Sequence, residues 1–153
     1  MGISPVQLRM DVIRPCLKDF GLWSQDAENL ILGTAAQESW CGRYVRQLHG
    51  GPALGIFQME PATHDDIWKN FLAFRRELRG SILEVWDSPD AERMIYDLRY
   101  AAVMCRVHYL RAPGAIPTAV GDQAKYWKLY YNTPAGAGTE AEFIDNWYRH
   151  IEG

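Results

Sequence analysis

Residues 24–63 read SQDAENLILGTAAQESWCGRYVRQLHGGPALGIFQMEPAT. Up to Glu38, Ala27, Leu30, Ile31, Thr34 and Ala35 fall three and four apart, the period of a helix with one inward face. Ser24 stands just ahead of them, where a hydroxyl can accept one of the first free backbone N–H groups, so the helix begins there. From residue 42 to 60 the pattern is cut by Gly42, Gly50, Gly51, Pro52 and Gly55, which predicts a loop or a short β-ribbon. Pro61 then suits the first turn of another helix, carrying Ile67, Trp68 and Phe71 inward. The unit is helix, glycine-rich insert, helix, with Glu38 at the first seam.

Outward from this unit the pattern stays helical. Val6, Met10, Ile13 and Leu17 predict a first helix, bent near Pro15. Residues 73–86 read as a helix broken at Gly80. Ser88-Pro89 opens the strongest amphipathic run, with Ala91, Met94, Ile95, Leu98, Ala101, Ala102, Cys105 and Tyr109 on one face, ending at Pro113, Gly114 and Pro117. A further helix leads into Tyr130, Tyr131 and Asn132, followed by a loop over 133–138. Thr139 and Glu142 form a capping-box pattern for a last helix that turns Phe143, Ile144, Trp147 and Ile151 inward. The expected fold is mainly α, one domain over residues 1–153, with the glycine-rich insert as its only irregular part.

Composition narrows the function classes. Of 153 residues, 48% are hydrophobic, enough for a buried core and too many for a disordered chain. The formal charge of −3, with arginines scattered among acids, argues against nucleic acid as a partner. Six tryptophans and eight tyrosines can fill a core or stack on sugar rings. Cys16, Cys41 and Cys105 are odd in number and lack CxxC spacing, so buried free thiols are expected rather than a disulfide framework. No apolar run approaches the ~20 residues of a membrane span. The first 21 residues lack a signal-peptide core, being interrupted by Arg9, Asp11 and Arg14. His49, His64, His108 and His150 have no metal-ligand spacing, and His64-Asp65-Asp66 is explained by the polarity of a helix start; no metal is expected.

Position alone gives Glu38 two readings. As a carboxyl at the edge of an apolar helix face it is partly desolvated, which raises its pKa toward what a general acid needs at neutral pH. It can equally be an ordinary glutamate at a helix C-terminus, or one bonded to loop amides.

The surrounding residues bear on that choice. Gln37-Glu38-Ser39, then Gly55-Ile56-Phe57-Gln58-Met59-Glu60-Pro61-Ala62-Thr63, resembles the soluble lytic transglycosylase family of the lysozyme-like superfamily. That family shows a Glu-Ser pair followed by Gly-Leu-Met-Gln-(Ile/Leu)-x-Pro-x-Thr, with which Gly55, Gln58, Pro61 and Thr63 are in register. Ile56 and Phe57 replace the usual Leu and Met. Downstream, Tyr130-Tyr131-Asn132 with Gly136 and Gly138 is similar to the family's Ala-Tyr-Asn-x-Gly segment, although Tyr130 replaces the alanine and Pro134-Ala135 displaces the glycine. His108-Tyr109-Leu110 resembles the end of its penultimate helix. The likeness covers roughly residues 24–150.

The resemblance implies a lysozyme-like helical domain acting on peptidoglycan glycan strands without cofactor. It makes Glu38 the general acid and then the base. Ser39 would hold a backbone group or the substrate, Gln58 would donate its amide to the sugar or to the loop, Tyr131 would orient Glu38, and Asn132 would fix the turn behind it. Capping and turn formation explain Ser39 and Asn132 equally well. Most glycosidases place a second carboxylate across the scissile bond. Residues 39–54 hold no Asp or Glu, Glu60 is expected to face solvent, and Asp65 and Asp66 lie in a helical first turn. A lone carboxylate favours the intramolecular route to 1,6-anhydro ends. The alternatives are a muramidase and a structural or glycan-docking virion protein that keeps the fold. A wall-cutting domain made without a signal peptide needs a carrier or a release route, so the expected setting is phage-encoded, with tail or other virion proteins as partners, or released to the periplasm and cell wall.

Overall fold

The computed structural model describes residues 2–133 and 135–152. They form helices joined by short turns, with only two isolated antiparallel β-bridges, Arg46 to Leu54 and Leu54 to Met59. Helix α1 has three segments, Pro5–Gln7, a π-helical Leu8–Ile13 and Arg14–Asp19. Pro15 has no N–H to give, and the wider π turn ahead of it takes up the mismatch, so the expected irregularity is a π segment. Then follow α2 (Gln25–Ser39), α3 (Pro61–Asn70), α4 (Arg76–Val85), α5 (Arg93–Tyr96), α6 (Leu98–Leu110), α7 (Val120–Trp127) and α8 (Glu140–His150). No helix among the described residues is long and apolar enough to cross a membrane.

Helix α2 is the axis of the core. Leu30, Ile31, Leu32, Ala35 and Ala36 are fully buried, so its inward face is wider than a single stripe. Gly33 lets α8 approach: a Cβ there would lie 2.7 Å from Cζ of Phe143 and 3.1 Å from the Trp147 ring. Against α6, Thr34 donates to the Leu30 carbonyl at 2.7 Å and therefore accepts the Tyr109 hydroxyl at 2.8 Å. The Ser24 hydroxyl accepts the Ala27 N–H at 3.0 Å, the cap expected from the sequence.

A buried ion pair ties α1 to α2. The Glu28 carboxylate is fully buried and receives Arg9, Arg14, the Trp23 indole N–H and the Gln25 amide. Burial pushes this carboxyl up, but hydrogen bonds from Arg14, Trp23, Arg9 and Gln25 outweigh it and hold it down at about 2. The three cysteines are buried and free, as their spacing suggested.

Three sequence expectations are corrected. Gly80 does not break its helix; α4 runs through it, with open space around Gly80. The long run from Ser88 is not one helix. Asp97 is extended at φ −116°, ψ 102°, its carboxylate accepts the Tyr100 N–H at 3.0 Å, and it starts α6 afresh after α5. Only the Thr139 half of the α8 capping box forms, its hydroxyl accepting the Glu142 N–H at 3.1 Å.

Candidate active-site groove

The groove is built from the end of α2 outward. Helix α2 stops in a left-handed turn, with φ of 52° at Trp40, 57° at Cys41 and 84° at Gly42. Two non-glycine residues in this region are costly, roughly 1–2 kcal/mol each, and need outside support. Ser39 supplies it. Its hydroxyl donates to the Ile56 carbonyl at 2.6 Å and accepts the Gly42 N–H at 2.8 Å, joining the helix end to the insert. Ser39 is fully buried, so of its two expected roles it performs the backbone one and does not line the groove.

The insert closes on itself as a tight turn. Leu54 and Met59 exchange backbone bonds at 2.9 and 3.1 Å. Gly55 (φ 77°) and Gln58 (φ 49°) adopt positive φ inside it, and a Cβ on Gly55 would run into the Met94 carbonyl. The Gln58 amide donates to the Gly55 carbonyl at 2.8 Å. That nitrogen is therefore used by the loop, while the residue itself lines the groove.

The opposite wall comes from the end of α7, which continues as a π-helical segment, Lys128–Asn132. The Tyr131 hydroxyl donates to the Phe57 carbonyl at 2.6 Å. Tyr131 therefore braces the insert and lines the groove with Glu38 without hydrogen-bonding it. Asn132 accepts Lys128 Nζ at 2.7 Å, and the same ammonium donates to the carbonyls of Gly136 (2.8 Å) and Gly138 (2.6 Å). Lys128, which the sequence did not single out, gathers the loop beside the groove; its spacing of four from Asn132 was the available signal.

Between these walls lies a cavity of about 740 Å³, within the range of roughly 300–1,000 Å³ usual for ligand sites. Glu38, Gln58, Tyr131 and Asn132 all line it. Glu38 is half-buried, and its carboxyl makes no hydrogen bond to any described residue. Tyr44 donates instead to the Glu38 backbone carbonyl at 2.7 Å. With no donor to stabilise the charged form, burial alone raises the Glu38 carboxyl to about 8. It therefore holds its proton at neutral pH, ready to protonate a leaving group in the groove.

Three further groove residues were missed or misplaced by sequence reasoning. His108 lines the wall with its ring edge-on to Tyr131 at 5.0 Å, and burial, followed by the charge of Arg111, lowers its imidazole to about 4, so it is neutral there. Glu60 is exposed, as expected, yet lies on the groove margin, and Glu142 lines the same groove from α8. Lone residues drawn from two helices and the end of the insert leave no local pattern to read. Comparison with known protein families, with curated proteins and with solved structures finds no match to this chain.

Proposed function

We propose that this chain is a peptidoglycan lytic transglycosylase, cutting the β-1,4 bond between N-acetylmuramic acid and N-acetylglucosamine through a lysozyme-like active site. The observation that carries the reading is the Glu38 carboxyl, which has no hydrogen-bond partner among the described residues and is pushed up to about 8 by burial, in a groove of about 740 Å³. The Glu38-Ser39 pair and the Gly55–Thr63 run support it from the sequence side.

The chemistry follows from one proton. Glu38 gives it to the glycosidic oxygen as the bond to C1 of the muramoyl sugar breaks. The carbonyl oxygen of that sugar's own N-acetyl group bonds to C1 and takes up the positive charge. Glu38, now a carboxylate in a partly desolvated site, removes the proton from the sugar's 6-hydroxyl. The freed oxygen attacks C1, the acetamido oxygen leaves, a 1,6-anhydro ring closes, and Glu38 is protonated again. No water is consumed.

One observation favours a second reading. Glu60 and Glu142 bring further carboxylates to the groove, and either could activate water, as a muramidase requires. The test is digestion of purified sacculi by wild type and Glu38→Gln, read by clearing in a peptidoglycan gel and by product mass. Muropeptides one water lighter than the reducing-end sugar are expected, with no clearing by the variant. Reducing ends abolished by Glu60→Gln or Glu142→Gln would replace this reading with hydrolysis. Equal clearing by wild type and Glu38→Gln would remove the catalytic role.

A further inference from the structure

A second hollow lies behind the groove wall, separated from it by stacked tyrosines. Tyr131 stacks on Tyr109 at 5.2 Å, and Tyr109 stacks on Tyr126 at 5.9 Å. Tyr109 and Tyr126 line a cavity of about 280 Å³, bounded by Ser24 and Asp26 at the start of α2, by Arg106 on α6, and by Ala112 and residues 114–116.

Arg106 is the informative residue. Its Nε donates to the Leu22 carbonyl at 3.0 Å, which fixes the plane of the guanidinium. Its remaining N–H groups have no acceptor, and it forms no ion pair, among the described residues. It is half-buried, and desolvation lowers its pKa. A desolvated guanidinium without a counter-charge is an unfavourable arrangement that a bound anion relieves, and a carboxylate matches its fork of donors. The Tyr126 hydroxyl lines the same cavity as Arg106 and also has no hydrogen-bond partner among the described residues. Asp26 lies on the same wall but outside ion-pair contact with Arg106. One of its carboxylate oxygens accepts the Thr118 hydroxyl at 3.1 Å, and the other is free of hydrogen bonds among the described residues. Ala112, Ala115 and Ile116 supply a small apolar wall.

A carboxylate receptor, an acceptor for N–H and a small apolar wall are the complement of one chemical unit. We propose that this cavity is a binding site for a small α-amino acid unit with a free carboxylate. The carboxylate pairs with Arg106 and Tyr126, the α-nitrogen donates to Asp26, and an alanine-sized side chain faces Ala115 and Ile116. The unit can come from a free amino acid or from the carboxyl-terminal residue of a peptide. The site is independent of the glycan-cutting reading, since none of the residues named as ligands lines the groove.

The test is titration of the full chain, followed by NMR and calorimetry, with alanine, N-acetyl-alanyl-alanine, the C-terminal amide of that dipeptide, and acetate. Saturable binding of alanine or of the acetylated dipeptide is expected, and the tighter of the two identifies the source. The amide and acetate should bind at least tenfold more weakly. Arg106→Gln should lose binding, and Tyr126→Phe should weaken it severalfold, with Glu38-dependent clearing of peptidoglycan retained. Equal binding of the amide, equal binding of acetate, absence of saturation by every probe, or undiminished affinity in Tyr126→Phe would each overturn the proposal. Because clearing is read separately, such a failure leaves the groove reading standing.

Discussion

At the scale of single residues, Glu38 and Ser39 are neighbours with opposite assignments. The Glu38 carboxyl lines the groove without a hydrogen-bond partner among the described residues, and burial raises its pKa from 4.5 to about 8. The folded state then binds more protons than the unfolded chain between those values, so this residue's contribution to stability is full below pH 4.5 and is lost as the pH rises toward 8. Glu38→Gln cannot titrate. Urea unfolding should show the variant gaining on wild type across that window, by at most about 1.4 kcal/mol per pH unit, while the peptidoglycan clearing proposed for the chain is lost. Ser39 is buried with both hydroxyl bonds made inside the protein. Ser39→Ala leaves the Ile56 carbonyl and the Gly42 N–H unpaired and should cost about 1–3 kcal/mol by denaturant midpoint. The Glu-Ser pair was legible as a unit; the division of labour inside it was not, because it depends on Ile56, seventeen residues away.

At the scale of elements, the helical period carried most of the reading. Helix α2 with its Ser24 cap, the glycine-rich insert and α3 opening at Pro61 follow from apolar spacing and turn residues. The break at Asp97 was hidden for a physical reason. The apolar pattern continues through Asp97, so the break there depends on a cap, with Asp97 accepting the Tyr100 N–H, and not on a change of period. The π-helical segment over Lys128–Asn132 is likewise invisible to a 3.6-residue reading, yet it carries Tyr131 and Asn132 at the groove. Lys128→Met removes three charge-assisted bonds from the segment and its loop. It should speed amide exchange at Gly136 and lower activity roughly tenfold by misplacing the wall, while leaving the unfolding midpoint of the α2–α6 core little changed. In α2 itself, Gly33→Ala drives a methyl group into the Phe143 and Trp147 rings and should destabilise the protein by about 1–3 kcal/mol, seen as a lower midpoint in thermal unfolding.

Across the whole molecule, the chain places its two shifted glutamates at opposite ends of α2, with opposite signs. Glu28 anchors α1 through a saturated set of donors, and its carboxyl is held down at about 2. The contribution of this group is full above pH 4.5 and is lost as the pH falls toward 2, so acid unfolding should be delayed relative to Glu28→Gln. The variant, which leaves Arg9 and Arg14 facing a neutral amide, should be less stable than wild type at pH 7 by chemical denaturation. The same helix thus holds one carboxyl kept charged by its donors and one kept neutral by burial. Sequence patterning made the helical architecture and Glu38 visible. The neutral His108 on α6 meets the bracing Tyr131 of the Lys128–Asn132 segment only through the fold, and the gathering Lys128 reaches Gly136 and Gly138 through a loop that no helical period describes.

The most direct test of this account is a ¹³C NMR titration of the Glu38 side-chain carboxyl in the folded protein. A midpoint near 8, with the proton retained through neutral pH, is the result expected. A midpoint in the ordinary carboxylate range near 4.5 would mean that the groove does not hold a protonated acid, and would contradict the account.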